Sequence, residues 1–261
     1  MLLAIDVGNT NTVLGVYRGT ELRRHWRIKT DAERTVDEYG VLLQAFCGSV
    51  AREPAASGEV GAAVDGVIIS CVVPPVQKTV EAVSREYLEV EPLSVGPGIK
   101  TGMPILYDNP KEVGADRIVN AIAAYERSRS TTIVVDFGTA TTFDYISAKG
   151  EYVGGVITPG LGISLEALYQ KAAKLYRVEM AKPPQVVGRN TIHAIQSGIV
   201  YGYVAMVDGL VRRIQQENAV TARVIATGGF AALLGPESET IEEVDEFLTL
   251  DGLRILYERN R

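Results

Sequence analysis

Two aspartates stand out as residues that could handle a phosphate. Each closes an apolar run and is followed by glycine and a cluster of small hydroxyl and amide residues. Asp6 lies in Leu3-Ala4-Ile5-Asp6-Val7-Gly8-Asn9-Thr10-Asn11-Thr12. Asp136 lies in Ile133-Val134-Val135-Asp136-Phe137-Gly138-Thr139-Ala140-Thr141-Thr142. A carboxylate at a strand end reaches an exposed edge, where it can hold a cation or water. The glycine removes a side chain, so backbone N–H groups can approach phosphate oxygens closely. Thr10, Asn11 and Thr12 supply further partners in the first copy, and Thr139, Thr141 and Thr142 in the second. One such segment alone reads as a β-hairpin whose turn prefers Asp, Gly, Asn and Thr. Two of them, 130 residues apart in a chain of 261, point to a duplicated unit with a phosphate grip in each half. No G-x-x-x-x-G-K-[ST] string occurs, which excludes a P-loop.

Two further constellations carry chemistry. Ile225-Ala226-Thr227-Gly228-Gly229-Phe230 follows a strand and opens toward a helix. Its glycines serve a tight strand–helix turn, or let an adenine or ribose lie against backbone. With the two grips it suggests the adenosine end of an ATP site. Gly114-Ala115-Asp116-Arg117 leads into an amphipathic helix with Ile118, Ala121, Ile122 and Tyr125 on one face. Asp116 then sits in the first turn, where the helix dipole favours a carboxylate. Spacing alone reads it as a plain helix-start acid followed by a surface arginine.

The elements that must position these residues follow from the periodicity. Strands are expected at 2–7, 12–17 and 22–28, with turns at Gly8-Asn9 and 18–21. Helical spacing covers 36–47 and 76–90, with a Gly/Ala-rich loop at 53–63 and a buried strand at 66–73 between them. The second half repeats the order, with strands at 131–136, 141–147 and 151–157. A Thr158-Pro159-Gly160 corner, helices near 162–174 and 191–217 and a strand at 222–227 complete it. Asn190-Thr191 reads as a helix N-cap region, with Ile192, Ile195 and Ile199 as the buried stripe and His193 as structural. The expected fold is α/β with two domains of mixed sheets, 1–118 and 119–261, the last helix returning to the first domain. The cleft between domains is the default ligand site. The acidic run near Glu237–Glu246 reads as solvated surface.

Bulk composition narrows the classes. Hydrophobic content of 46% with 22% charged residues excludes a disordered chain. Net charge of −6 without a Lys/Arg cluster argues against nucleic acid as partner. Only Cys47 and Cys71 are present, so no disulfide framework exists and a reducing compartment fits. With His25 and His193 they do not suggest a structural zinc site. The opening residues meet Asp6 too early for a signal peptide, and the apolar run Val67 to Val73, taken as the longest membrane candidate, stops at Pro74-Pro75. The expectation is a cytoplasmic protein with no membrane partner.

The paired hairpins and the late Gly-Gly patch resemble the actin, Hsp70 and sugar-kinase superfamily, two RNase H-like domains around an ATP cleft. Further strings narrow the resemblance to type III pantothenate kinases. They are DVGNTNT (6–12), YDNP (107–110), GADR (114–117), DFGTATTFD (136–144), GGVITPG (154–160), T-x-x-A-I-Q-S-G (191–198) and ATGGFA (226–231). They run in order along nearly the whole chain. The resemblance implies transfer of the γ-phosphoryl group of ATP to pantothenate, at the start of coenzyme A synthesis, by a homodimer. It implies Asp116 as base for the acceptor hydroxyl, with Arg117 holding either the substrate carboxylate or the phosphoryl charge. It implies ATP contacts by Asp6, Val7, Gly8, Asn9, Thr10, Asn11, Thr12, Val13, Thr139, Gly228 and Gly229. It implies acceptor contacts by Tyr107, Gly114, Ala115, Asp116, Arg117 and Thr191. Asp6 would orient Mg2+ through water, and Asp136 would bind a monovalent cation, K+ or NH4+. Two rivals remain: a kinase for another small hydroxylated acid or sugar, and a non-catalytic transcription accessory factor of the same fold. The intact Asp116 and Arg117 and the lack of a basic signature speak against the second.

Overall fold

The structure is a computed structural model that describes residues 1–51, 63–172, 175 and 177–261. Ala63 apart, the loop expected at 53–63 lies outside the described residues. In chain order the first half runs β1 (Leu2–Val7), β2 (Asn11–Arg18), β3 (Glu21–Lys29), α1 (Val36–Ala51), β4 (Gly66–Cys71), α2 (Pro74–Tyr87) and β5 (Leu93–Ser94). Then come α3 (Ala115–Ser128), β6 (Thr132–Phe137), β7 (Ala140–Ile146), β8 (Tyr152–Pro159) and α4 (Leu161–Lys171). The chain closes with α5 (Thr191–Glu217), β9 (Arg223–Thr227), α6 (Ala231–Leu234), β10 (Glu243–Val244) and α7 (Leu248–Asn260).

The chain divides into two compact units. The first comprises Met1–Gly102, Lys111–Ile122 and Thr249–Arg261; the second comprises Met103–Pro110 and Ala123–Leu248. Among the described residues each unit carries one mixed five-stranded sheet, ordered β3-β2-β1-β4-β5 in the first and β10-β9-β6-β7-β8 in the second. Read in the same direction the orders are identical: a hairpin, a third antiparallel strand, then a parallel strand on the far side of the opening one. The repeat seen in the sequence is thus a repeat of topology. The opening strands β1 and β6 are central and read as near-continuous apolar runs, as strands covered on both faces must.

Boundaries moved where local chemistry required it. The strand expected at 66–73 ends at Cys71 because Pro74 and Pro75 occupy the first turn of α2, where a missing N–H costs nothing. That helix ends at Tyr87 instead of residue 90, and Glu89 takes a left-handed φ of 56° just after it.

Two expected helix faces are corrected. In α3 every residue from Val119 to Ala124 is buried while Ile118 and Tyr125 are only half-buried, so the helix is enclosed over its middle instead of showing one apolar face. In α5 the buried set is Ile195, Gln196, Ser197, Val200, Val204, Val207, Asp208 and Val211, and Ile192 is 40% exposed. The 3.6-residue period of a 27-residue helix carries a local stripe away from the face the sheet covers. α5 is also longer and apolar enough to pass as a membrane span by composition, unlike the 67–73 run. Its buried face joins Val135, Phe143 and Val224 in the core of the second unit.

α7 packs closely on α3 in the first unit. A Cβ at Gly252 would lie 2.3 Å from the Val119 carbonyl oxygen, so only glycine allows the approach. The Thr249 hydroxyl donates to Asn120 Oδ1 at 2.7 Å beside it. Gly252→Ala should therefore destabilise the protein by about 1–3 kcal/mol through forced separation of the helices. A lowered urea midpoint at unchanged m-value is the expected reading; an unchanged midpoint would show that the contact is not tight.

Candidate active site

The first hairpin turn is tied from behind. Gly8 N–H donates to Asn11 O at 3.0 Å, and Thr30 N–H donates to Thr10 O at 3.0 Å. The Thr30 hydroxyl donates to Gly8 O at 2.7 Å and lies 2.9 Å from the buried Thr12 hydroxyl. These bonds use the turn's carbonyls and leave the side chains of Asn9, Thr10 and Asn11 exposed. A Cβ at Gly8 would sit 3.1 Å from Asn11 O, so the turn is narrow as well as bare.

Asp6 is half-buried at the end of β1, beside this turn. Its parallel register partner on β4 is Ser70, which is fully buried. Burial, then the charge of Asp116, push the Asp6 carboxyl up to about 7 from an ordinary value near 4. The Ser70 hydroxyl acts in the opposite sense, although its oxygen meets no partner at full hydrogen-bond geometry. Asp116 and Asp6, 110 residues apart in sequence, are thus electrostatic neighbours within the first unit.

Asp116 occupies the first turn of α3 and accepts the Arg117 N–H at 2.8 Å. Gly114 makes room for it: a Cβ there would stand 2.5 Å from Asp116 Oδ1. Burial raises the Asp116 carboxyl, while the backbone N–H and the guanidinium of Arg117 pull it back down. Arg117 is only 7% exposed, so it is no surface arginine. Two desolvated carboxylates with raised proton affinity and a buried guanidinium form a site that can accept a proton near neutral pH and neutralise anionic charge.

The second unit repeats the arrangement with one change. Asp136 ends β6 with Thr227 of β9 as register partner, as Ser70 partners Asp6. Gly228 follows with φ +93°, and a Cβ there would lie 2.5 Å from Asp136 Oδ1 and 2.7 Å from the Phe137 backbone. The late glycine patch and the second hairpin are therefore one site. Gly160 presses on the same turn: its N–H donates to Thr139 O at 3.1 Å, and a Cβ would clash with that oxygen. The helix after the patch, α6, has four residues only.

Tyr107 and Thr191 also belong to the second unit. Tyr107 is half-buried, its ring 6.4 Å from that of Tyr152. Thr191 lies in the wall of a cavity of about 570 Å³ with Leu168, Gly188, Arg189, Asn190 and Ile195. Asn190 caps α5, its side chain accepting the His193 N–H at 2.9 Å. His193 Nδ1 also lies 3.2 Å from the Asn190 side-chain nitrogen. Sequence reasoning missed Ser70 and Thr227. The signal was present, since the fourth strand of each unit carries a hydroxyl residue at or next to its end, but register alone gives it meaning.

Comparison with known proteins gives the family. A sequence profile described as type III pantothenate kinase matches residues 2–213. The chain is 61% identical over 261 residues to a type III pantothenate kinase of Pelobacter propionicus, covering 100% of both chains. The chain belongs to the type III pantothenate kinase family. Among solved structures, a Baf family transcriptional activator from Campylobacter jejuni aligns with TM-score 0.60 at 16% identity, covering 99% of this chain and 98% of that one. A 2-dehydro-3-deoxygalactonokinase from Sinorhizobium meliloti aligns with TM-score 0.55 at 11% identity, covering 98% and 95%. These likenesses show the fold, which is the actin, Hsp70 and sugar-kinase fold expected from the hairpins. Within the family frame, the motif residues Asp6, Asp116 and Arg117 share one neighbourhood, and Asp136, Thr139 and Gly228 share another.

The raised Asp6 carboxyl has a consequence for stability. Asp6 holds its proton more tightly in the folded chain than in the unfolded one, and Asp116 acts in the same direction. The Asp6 contribution is fully present below about pH 4 and is lost as the pH rises to about 7. Stability in metal-free buffer should fall by about 2–3 kcal/mol from this group between pH 5 and pH 8, and Asp6→Asn should remove that slope. Urea midpoints of parent and variant across the range give the measurement; parallel slopes would refute the assignment.

Proposed function

We propose that this chain transfers the γ-phosphoryl group of ATP to pantothenate, yielding 4′-phosphopantothenate, the first step of coenzyme A biosynthesis. One observation carries the reading. A chain 61% identical end to end to a type III pantothenate kinase buries Asp116 and Arg117 at the first turn of α3, beside Asp6. Phosphoryl transfer asks for positioning and charge neutralisation more than for strong bases. Asp116 takes the proton of the acceptor hydroxyl, and Arg117 faces the anionic charge. Asp6 through Val13, with Thr139, Gly228 and Gly229, hold the nucleotide through backbone N–H groups and short polar side chains. Tyr107, Gly114, Ala115 and Thr191 contact the acceptor.

The carboxylates fit the cations such a reaction uses. Asp6 and Asp116 repel one another, and a divalent ion would relieve that repulsion. Among the described residues no three metal-ligating side chains converge. That suits Mg2+, which keeps several waters and takes one or two carboxylates. Asp136, with bare backbone at Gly138 and Gly228 around it, suits a loosely held K+ or NH4+. A homodimer is supported by exposed apolar side chains on the second unit, Ile157, Ile163, Val186, Val187 and Ile192. The free thiols of Cys47 and Cys71 fit a reducing cytoplasm.

Purified protein with ATP and a panel of pantothenate, pantetheine and sugars tests the reading directly. Turnover with pantothenate alone supports it, turnover with another acceptor makes this a different kinase, and no turnover favours a non-catalytic role. Asp116→Asn should lower kcat at least about 100-fold with ATP affinity nearly unchanged; a variant keeping most of its rate removes Asp116 as base. The rate should also rise when K+ or NH4+ replaces Na+ or Tris at matched ionic strength. Without substrates, K+ should raise the melting temperature of the parent but not of Asp136→Ala. Equal rates and equal melting temperatures in all salts would refute the cation site.

A further inference from the structure

The mechanism above leaves two buried carboxylates unused, and one of them, Asp208, is taken up by the turn at residues 238–240. Asp144, on β7, is fully buried in the second unit. Burying a carboxylate is costly unless its hydrogen bonds are specific, and an apolar residue of similar size would serve packing better. The Tyr152 hydroxyl donates to Asp144 Oδ1 at 2.7 Å, and the Thr142 hydroxyl lies 3.4 Å from Oδ2. Tyr152 is itself fully buried, so its ring is held at the tip by this hydrogen bond and elsewhere by packing.

Tyr152 is also where the segment before Tyr107 joins the sheet. β8 is the edge strand, and Tyr152 opens it. Tyr152 N–H donates to Pro104 O at 2.8 Å, and Leu106 N–H donates to Tyr152 O at 2.8 Å. Ile105 thus forms a parallel bridge with Tyr152. Two residues on, Tyr107 sets its ring 6.4 Å from the Tyr152 ring at an interplanar angle of 55°. It lies over Gly154, where a Cβ would come within 3.9 Å of the ring edge. One side chain and one backbone position of Tyr152 therefore fix both the path of 104–106 and the tilt of Tyr107.

We propose that Asp144 and Tyr152 are a positioning pair for the Tyr107 ring, setting the apparent affinity for pantothenate without touching it. The inference rests on the reading of Tyr107 as an acceptor contact. The pair transmits no charge to the reaction; it removes alternative orientations of the ring, and so lowers the cost of ordering the pocket.

Tyr152→Phe keeps the ring and removes the bond. It should raise KM for pantothenate about tenfold while kcat and KM for ATP stay within about twofold, the mark of lost acceptor binding. Asp144→Asn still offers an acceptor oxygen and should stay close to the parent, whereas Asp144→Leu should match Tyr152→Phe. The Leu106 amide should exchange with solvent faster in Tyr152→Phe and Asp144→Leu. In a Tyr107→Ala background, Tyr152→Phe should add nothing to KM, because both changes act through one ring. Unchanged KM and exchange in Tyr152→Phe would overturn the proposal, as would a parallel loss in kcat and ATP affinity. Faster exchange with unchanged KM overturns it if Tyr107→Ala raises KM. If Tyr107→Ala also leaves KM unchanged, the acceptor role of Tyr107 fails and the proposed effect on pantothenate fails with it, while faster Leu106 exchange still shows that the pair holds the segment.

Discussion

A carboxylate without a hydrogen-bond partner is costly inside a sheet covered on both faces, and β1 and β6 are such strands until Asp6 and Asp136. The aspartate has to fall where the strand leaves the core, and the chain must turn at once. That constraint generates the rest of each site. A glycine two residues on makes the turn narrow, and the antiparallel strand that follows returns threonine to the buried edge as Thr12 and Thr141. The parallel strand on the other side brings Ser70 or Thr227 opposite the carboxylate. The polar atoms at each strand end are thus grouped by sheet geometry before any ligand is considered.

The two copies then diverge in a way that divides labour. One step beyond Thr227 stands Gly228, bare and in left-handed conformation against the Asp136 carboxylate. The position equivalent to Gly228 in the first unit is Cys71, whose thiol turns back to the Val73 carbonyl oxygen at 3.2 Å. At this position Asp136 and Phe137 exclude a side chain in the second unit, whereas the first unit carries one. The first unit instead gains Asp116 as neighbour to Asp6, with burial and like charge raising the proton affinity of Asp6. A carboxylate with raised proton affinity in one copy and a backbone position without a side chain in the other fit the phosphoryl transfer proposed above.

Asp116 owes its place to the packing of α3. α3 starts at Ala115, with Gly114 yielding space to the carboxylate, and its middle turns are enclosed on all sides. Close approach of α7 at Gly252 and the Thr249–Asn120 hydrogen bond hold the part of that helix that belongs to the first unit. The second unit uses a comparable device for its own loop, with Tyr152 gripping 104–106 from the edge of the sheet. In both places a segment that carries a proposed site residue is held by a neighbour outside the proposed site.

The sequence by itself determined the duplication, the strand–turn–strand grips, the glycine patch and the start of the Asp116 helix, because turn chemistry and periodicity act within a few residues. Side-chain roles that depend on register or packing were beyond it. Ser70 reads as an ordinary strand residue until β4 lies parallel to β1. Asp144 reads as the polar member of an alternating strand until the Tyr152 hydroxyl meets it in the core. The stripe assigned to α5 placed Ile192 inward, whereas the sheet covers a face rotated away from it. Only the tertiary structure decided that Asp6 and Asp116, 110 residues apart, share a low-dielectric neighbourhood. Electrostatic coupling depends on distance and solvent exclusion through space, and neither quantity is written in the order of residues along a chain.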